Sequence, residues 1–230
     1  VALVVAVSVL AAVVFVARAE KVYQADADLL VTPIPRSNTN LFGFGLVSES
    51  GDPTRDAETV AQLITTPAVA LRVRENLGLE ESARSLENRV VARPVAQSSI
   101  VTVTASANDP DLAARLANAF GQAAIVVRTE RLHRLVANVI PQLRRQLNGL
   151  PESDATSRAS LSTKLQDLET LRVLPDPTLH FENQAVAPSS AVAPRPVLSI
   201  AAAFVAALVL GIGAVLAWHL LDARIIREEQ

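Results

Sequence analysis

The sequence predicts an α+β (mixed α/β) domain with a helical hairpin, flanked by two transmembrane helices. Three observations support this fold class. Both ends of the 230-residue chain are long apolar runs. Between them, segments that alternate apolar and polar residues, as half-buried strands do, are interleaved with segments whose apolar residues recur every three or four positions, as in helices. The helical pattern is longest over residues 111–173 and is interrupted there by one turn, which predicts an antiparallel pair of helices.

The first apolar run, residues 1–17, contains Ser8 as its one polar residue. As a helix it reaches about 25 Å, slightly less than the hydrocarbon core of a bilayer. Since the chain does not begin with Met, we predict a truncated transmembrane helix of a longer polypeptide. The alternative is a secretory signal peptide, for which Ala17 and Ala19 offer a cleavage site. A second apolar run at the other end favours a pair of membrane anchors.

That second run, residues 197–221, is long enough to cross a membrane with some tilt, and Ser199 and His219 are its strongly polar members. Trp218 lies near its end, where an indole ring usually marks the membrane interface. We therefore predict a second transmembrane helix here.

The orientation follows from the tail, residues 222–230, in which Arg224 and Arg227 closely follow the second run. Basic residues near the end of a span favour the cytoplasmic side. With two spans, both termini are then cytoplasmic and the central domain is extracytoplasmic.

The central domain opens with a predicted strand over residues 22–31, in which Ala25, Ala27 and Leu29 alternate with polar residues. Asp26 and Asp28 lie on its polar face. A pair of carboxylates for catalysis or a cation is one interpretation, and a solvated strand face is the favoured one. A long loop rich in Pro, Asn, Ser and Gly follows.

Two helices and two strands come next. Asp52 is predicted to cap a helix that begins at Pro53, and Thr66 to cap one that begins at Pro67, while Gly78 supplies a left-handed stop. The segments "RVVARPV" and "SSIVTVTAS" alternate as strands do. Strands and helices with short connections predict a sheet covered by helices, and we expect strands of mixed direction.

The second strand runs directly into the hairpin. Asn108 or Asp109 is predicted to cap a helix that begins at Pro110, continues for about 40 residues and bends near Pro141. After the turn "NGLPESD" a second helix follows, and "TLHFENQAVAP" returns as a strand. Residues 18–110 and 174–196 would thus form a membrane-proximal base. The apolar positions expected to face inward are Leu112, Leu116, Ala119, Phe120, Ala123, Val127, Leu132, Val136, Val139, Leu143, Leu147, Leu150, Leu161, Leu165 and Leu168.

The sequence offers no constellation for catalysis, a cofactor or a metal. His133, His180 and His219 lie on separate elements without metal-ligand spacing, cysteine is absent, and no serine lies in a nucleophile elbow. A formal net charge of −2 gives no electrostatic footprint for nucleic acid. Aromatic residues are 3% of the chain, which argues against an enzyme that cleaves cell-wall glycan, since such platforms use exposed rings.

The long helix carries a basic run, Arg128, Arg131 and Arg134. We name these three as candidate contacts between subunits or with an acidic polymer. A solvated helix face or inter-subunit ion pairs is the favoured interpretation of such a run.

With its elements in this order, the chain resembles the polysaccharide co-polymerases, the chain-length-determinant family of bacterial surface polysaccharide synthesis. The most specific segment is "SIVTVTASANDPDLAARLANAF", a strand rich in Ser, Thr, Ile and Val that leads into Asp-Pro and an alanine-rich helix. The second is "APSSAVAPRPVLSIAAAFVAALVLGIG", with prolines before the membrane and glycines within it. The residues that carry the resemblance are Asp109, Pro110, Asn118, Pro188, Pro194, Pro196, Gly211 and Gly213.

The resemblance implies a non-catalytic, ring-like homo-oligomer in a bacterial inner membrane that regulates the chain length or export of a capsule or exopolysaccharide. Its partners would be membrane lipid and a polysaccharide polymerase or exporter. The tail "LDARIIREEQ" is similar to the juncture that leads into the kinase domain in the subclass with a fused cytoplasmic tyrosine kinase. For a member of that subclass, the resemblance implies a cytoplasmic tyrosine kinase domain as a further partner.

A sensory receptor that binds a ligand outside the membrane and signals through the second span is the alternative function. It shares the predicted two-span topology. A signalling region after Gln230 would favour the receptor.

Overall fold

A computed structural model describes residues 2–35, 44, 46–195, 199, 201–209 and 211–213 of the chain. They belong to two compact units. One unit comprises Val1–Tyr23 and Ser190–Gln230, and the other comprises Gln24–Ser189. The elements labelled below are α1 (Ala2–Arg18), β1 (Tyr23–Val31), α2 (Pro53–Ile64), α3 (Pro67–Leu77), α4 (Ala83–Glu87), β2 (Val90–Pro94), β3 (Ile100–Ala107), α5 (Pro110–Gly149), α6 (Ala155–Leu171) and β4 (Leu179–Asn183).

The unit of the chain ends contains α1 and helical residues 201–209 and 211–213. The chain segments that flank these helices pair as an antiparallel bridge, in which the Val22 amide donates to the Ala193 carbonyl at 2.9 Å and the Val192 amide donates to the Val22 carbonyl at 2.8 Å. Among the described residues, no helix combines the length and the apolar character that a membrane crossing requires. The two predicted spans, 1–17 and 197–221, stay predictions, and much of the second lies outside the described residues.

The larger unit is built on a four-stranded sheet with the strand order β2-β3-β1-β4. β2 pairs antiparallel with β3, with Ala92 opposite Val103, and β1 pairs antiparallel with β4, with Leu30 opposite His180. The sequence predicted a sheet of mixed strand direction, whereas both of these pairs are antiparallel. The alternating pattern determines which face of a strand is buried, but it does not specify the partner strand or its direction.

The sheet has one buried face and one polar face, as the alternation predicts. Ala25, Ala27, Leu29 and Val31 of β1 are buried, and so are the alternate residues of β3 that begin at Val101. Helices α2 and α5 pack against this sheet. The unit is therefore an α+β layer structure, which confirms the predicted class of its fold.

On the polar face, side chains of β1 and β3 are hydrogen-bonded in a row. The Thr104 hydroxyl donates to the Asp26 carboxylate, and the Thr102 hydroxyl donates to the Asp28 carboxylate at 2.7 Å. Asn183 of β4 donates to the second oxygen of Asp28 at 3.2 Å. Asp26 and Asp28 thus cross-link three neighbouring strands at a partly exposed surface, which agrees with the interpretation as a strand face.

The short helices begin and end at the predicted residues. The Asp52 carboxylate accepts from the Thr54 amide at 3.0 Å, and Gly78 ends α3 in the left-handed conformation with φ of 62°. Thr66 occupies the cap position of α3, but it makes no side-chain cap there, and its hydroxyl instead donates to the Leu63 carbonyl at 3.0 Å. The five-residue helix α4, capped by Ser82, was not predicted.

The long helix α5 contains 40 residues and continues through Pro141. Its cap is Asp109, whose carboxylate accepts from the Leu112 amide at 2.8 Å. In the first half of α5, the buried positions differ in part from the predicted ones. Ala113, Ala114, Ala117 and Ala124 are buried, whereas the predicted Leu112, Ala119 and Val127 are half-buried. Small side chains at the buried positions permit close packing of α5 on the sheet and on α3.

Helices α5 and α6 form the predicted antiparallel hairpin. Its apolar seam consists of Leu132, Val136, Ile140 and Leu143 of α5 and Leu168 and Leu171 of α6, with Leu161, Leu165 and Val139 partly buried against them. Phe44, from the segment between β1 and α2, is buried in the same cluster. The hairpin is thus held to the rest of the unit by apolar contacts that sequence periodicity along α5 and α6 does not reveal.

Gly121 of α5 lies against the ring of Phe181 of β4. A Cβ atom at this position would lie 2.6 Å from Cζ of Phe181, too close for an undisturbed ring. We expect Gly121→Ala to reduce the free energy of unfolding by about 1 kcal/mol, because the strain of a displaced ring outweighs the better helix propensity of alanine. In a Phe181→Ala background the sign should invert to a gain. Urea unfolding of the wild type, Gly121→Ala, Phe181→Ala and the double variant gives the effect of Gly121→Ala on the free energy of unfolding in each background. A gain in both backgrounds would contradict the close contact.

Candidate functional site

The base of the hairpin is held by a buried ion pair. Arg128 of α5 donates from Nε to the Asp176 carboxylate at 2.8 Å, and the two side chains are 11% and 2% exposed. Asp176 lies in the segment that leads from α6 back to β4, so the pair joins the outgoing and returning chains. We call Arg128, Asp176, Thr129 and Thr178 the hairpin clasp.

The rest of the clasp satisfies the buried carboxylate. The Thr178 amide donates to Oδ1 of Asp176 at 2.8 Å, and the Thr178 hydroxyl donates to the same oxygen. The Asp176 amide donates to the Thr129 hydroxyl at 3.0 Å. A buried charge is tolerated when it is paired and hydrogen-bonded in this way. These contacts give Asp176 a structural role at the return of the chain.

Further polar contacts follow the hairpin outward. Nε2 of His133 lies 2.9 Å from the Leu174 carbonyl, Arg144 pairs with Glu169, and Arg158 donates to the Leu150 carbonyl at 2.9 Å near the turn. Outside the hairpin, Arg72 of α3 pairs with Glu130 of α5 at 2.6 Å. The Arg144–Glu169 and Arg158–Leu150 contacts tie α6 to α5 and to the turn, and the contact with Leu174 gives His133 a structural position.

A cavity of about 370 Å³ lies next to the clasp, between α3, α5 and the segment around Phe44. Its lining is mainly apolar, with Leu46, Val69 and Leu132 among the contributing residues, and Arg128 and Arg131 lie on its polar side. Arg128 is engaged by Asp176, whereas Arg131 is exposed. The cavity thus offers apolar walls and one cationic rim, and its described lining contains no nucleophile beside a base.

A second clamp holds the chain after β4. The Asn118 side chain accepts from the Ala185 amide at 2.8 Å and donates from Nδ2 to the Ala185 carbonyl at 3.0 Å. One amide side chain therefore supplies both hydrogen bonds that a neighbouring strand would otherwise make with the backbone of Ala185, which is buried. The clamp fixes the direction in which the chain leaves β4, three residues before Pro188.

We expect Asn118→Leu to lower the free energy of unfolding by about 2 kcal/mol, because it leaves the buried amide and carbonyl of Ala185 without their partner. Thermal unfolding followed by circular dichroism measures the loss. Gln122→Leu, at an exposed position one turn further along α5, is the control and should change stability by less than about 0.5 kcal/mol. Equal stability of the two variants would show that the Ala185 clamp is not needed.

The structure separates the other residues named from the sequence. Asp109 and Pro110 begin α5, and Arg131 and Arg134 are both exposed on this helix. Pro194, Gly211 and Gly213 belong to the unit of the chain ends, whereas Pro188 and the three arginines belong to the larger unit. Pro196 lies outside the described residues.

Asp176, the central residue of the clasp, carries no local signal that predicts its role. Asp176 lies between two prolines in "LPDPT", a pattern typical of an exposed turn, yet it is among the most buried polar residues described. The basic run on α5 identified Arg128 as a candidate residue but did not reveal Asp176 as its partner. Within the described part of the chain, no group of three or more His, Asp or Glu side chains is placed to hold a metal ion.

Comparisons with known proteins show what this fold is similar to. No family model and no curated protein matches the sequence. Among solved structures, a "full-length bacterial polysaccharide co-polymerase" is 14% identical, with 99% of this chain and 96% of that chain covered and a TM-score of 0.54. Lower similarity is found to a fragment of WzzB, the polysaccharide co-polymerase of Salmonella Typhimurium, with 14% identity, 76% and 100% coverage and a TM-score of 0.43. A mutant of the Shigella flexneri lipopolysaccharide O-antigen chain-length regulator has 12% identity, 74% and 100% coverage and a TM-score of 0.31.

The first of these comparisons extends over nearly the whole of both chains. The fold of this chain is therefore that of a full-length co-polymerase, as the resemblance in its sequence implies.

Proposed function

We propose that this chain is a polysaccharide co-polymerase, a homo-oligomeric scaffold in a bacterial inner membrane that regulates the chain length or export of a surface polysaccharide. The observation that carries the proposal is the shared fold, which extends over nearly all of this chain and of a full-length co-polymerase. Because a fold by itself does not determine function, the sequence motifs around Asp109-Pro110 and the proline-rich segment add independent support.

The mechanism that we propose is mechanical and needs no chemistry from these residues. The base sheet and the hairpin form one structure, because the hairpin clasp and the Phe44 contact join them. Base domains placed side by side would define an enclosure, and their hairpins would extend it away from the membrane. The polymerase or exporter would carry out catalysis and transport.

The proposed topology places α1 and residues 197–221 in the membrane, with the domain of Gln24–Ser189 outside the cytoplasm. Membrane lipid is then a partner of both chain ends. In this arrangement the Val22 bridge to Ala193 would lie where the two chain ends leave the membrane.

Two measurements test the proposal together. The mass of the full chain in lipid nanodiscs, by native mass spectrometry, should be that of a closed assembly of several subunits. A strain that lacks the gene should lose the modal length of its surface polysaccharide and regain it on complementation. A monomer in nanodiscs with an unchanged polymer in the deletion strain would refute the scaffold.

A further inference from the structure

An exposed face of α5 carries a cationic stripe with few competing charges, which begins at the rim of the cavity next to the clasp. Residues 131–151 contain no Asp or Glu, yet this stretch includes Arg131, Arg134 and Arg145, all of them exposed. At about 100° per residue, these three side chains start within about 60° of one another around the helix axis. The stripe therefore lies on a single face of the helix.

The exposed amides of Asn138 and Gln142 fall between the arginines on the same face. From Arg131 to Arg145 the stripe is about 21 Å long, at 1.5 Å per residue. Guanidinium groups donate only, and they suit carboxylates in a bidentate geometry, whereas amide side chains both donate to and accept from hydroxyls. In chain order the stripe thus presents two groups that suit carboxylates, two that suit hydroxyls, and a third that suits a carboxylate.

Two carboxylates close to the stripe pair with other arginines. Glu130 pairs with Arg72, and Glu169 pairs with Arg144, the neighbour of Arg145. Within the part of the chain that the structure describes, none of the ion pairs involves Arg131, Arg134 or Arg145. Their charge is directed to the surroundings of the protein.

We propose that this stripe binds an anionic polysaccharide, a polymer that presents carboxylates and hydroxyls at regular intervals. The inference rests on the proposed function and names the chemical class of the polymer. A second copy of the chain would need an acidic surface against the stripe, and a membrane would need apolar residues beside it. The intervening Asn138 and Gln142 favour a hydroxylated ligand over both.

The test uses the full chain in nanodiscs of phosphatidylcholine, with polygalacturonate as the anionic probe and dextran as the neutral one. We expect salt-sensitive binding of polygalacturonate and none of dextran. The triple variant R131Q/R134Q/R145Q should bind about tenfold more weakly, since each exposed charge contributes a modest amount. The matched control is R55Q/R84Q/R115Q, which removes three exposed arginines from α2, α4 and another face of α5.

Each outcome decides the proposal. Weaker binding by the stripe variant alone supports it. Equal weakening by both variants would mean attraction to overall charge, and unchanged or undetectable binding would mean a solvated face, so either overturns it. A smaller assembly for the stripe variant in native mass spectrometry would assign the arginines to subunit contacts and also overturn it. Complementation of polymer length by the wild-type chain is measured separately. The scaffold function can therefore be supported even if the binding experiment overturns the proposal for the stripe.

Discussion

Replacing Arg128 by Met should destabilise the larger unit by about 3–5 kcal/mol, because it leaves the Asp176 carboxylate buried at 2% exposure without its cation. Methionine keeps much of the volume and the unbranched shape of the arginine side chain. The loss is therefore mainly electrostatic. Urea unfolding followed by circular dichroism gives the change as a shift of the midpoint at a constant slope.

Two further variants make this prediction specific. Arg72→Met removes one partner of an ion pair whose side chains are 35% and 42% exposed, and it should cost less than about 1 kcal/mol. Adding Asp176→Asn to Arg128→Met should recover part of the loss, since the carboxylate that lost its partner becomes neutral. Hydrogen exchange at the Thr178 amide should accelerate in Arg128→Met alone. A loss for Arg128→Met no larger than that for Arg72→Met would contradict a clasp at the hairpin base.

Truncation of Leu168 to Ala should cost about 2–5 kcal/mol, as expected for a fully buried leucine in a close-packed seam. Leu168 lies on α6 and fills the seam that α6 shares with α5. We expect hydrogen exchange to increase first in α6 and in the adjoining half of α5, while β3 retains its protection.

Leu161→Ala is the matched control, because this leucine has the same chemistry on the same helix and is only partly buried against the cluster. Its cost should be less than half of that for Leu168→Ala. Equal costs would mean that the seam does not pack as the structure shows. If the oligomer depends on an ordered hairpin, Leu168→Ala should also reduce the mass of the assembly in nanodiscs.

Local sequence determined most of the elements of the larger unit. Asp109-Pro110 specifies the start of α5, because the carboxylate caps a free amide and proline lacks the amide that would need a cap. The period of two in "YQADADLLV" and "IVTVTASA" specifies the buried faces of β1 and β3. Leucine spacing predicts the hairpin, since apolar positions at three and four residues form one face of a helix.

The candidate site depended much less on local signals. The basic run on α5 identified Arg128, but Arg131 and Arg134 were grouped with it although they remain exposed. Asn118 was named for its place in a motif, and its role as a clamp depends on Ala185, 67 residues away. Position along one helix does not reveal such a partner.

By itself, the sequence determined where helices and strands begin, which of their faces are apolar, and which family the chain resembles. Those properties depend on residues a few positions apart. Only the tertiary structure decided the strand order, the burial of Asp176 beside Arg128, and the contact of Gly121 with Phe181. The physical reason is that the placement of β1 between β3 and β4, the Arg128–Asp176 pair and the Gly121–Phe181 contact each join segments about 50 or more residues apart. Packing selects such partners by shape and charge only when the chain is folded.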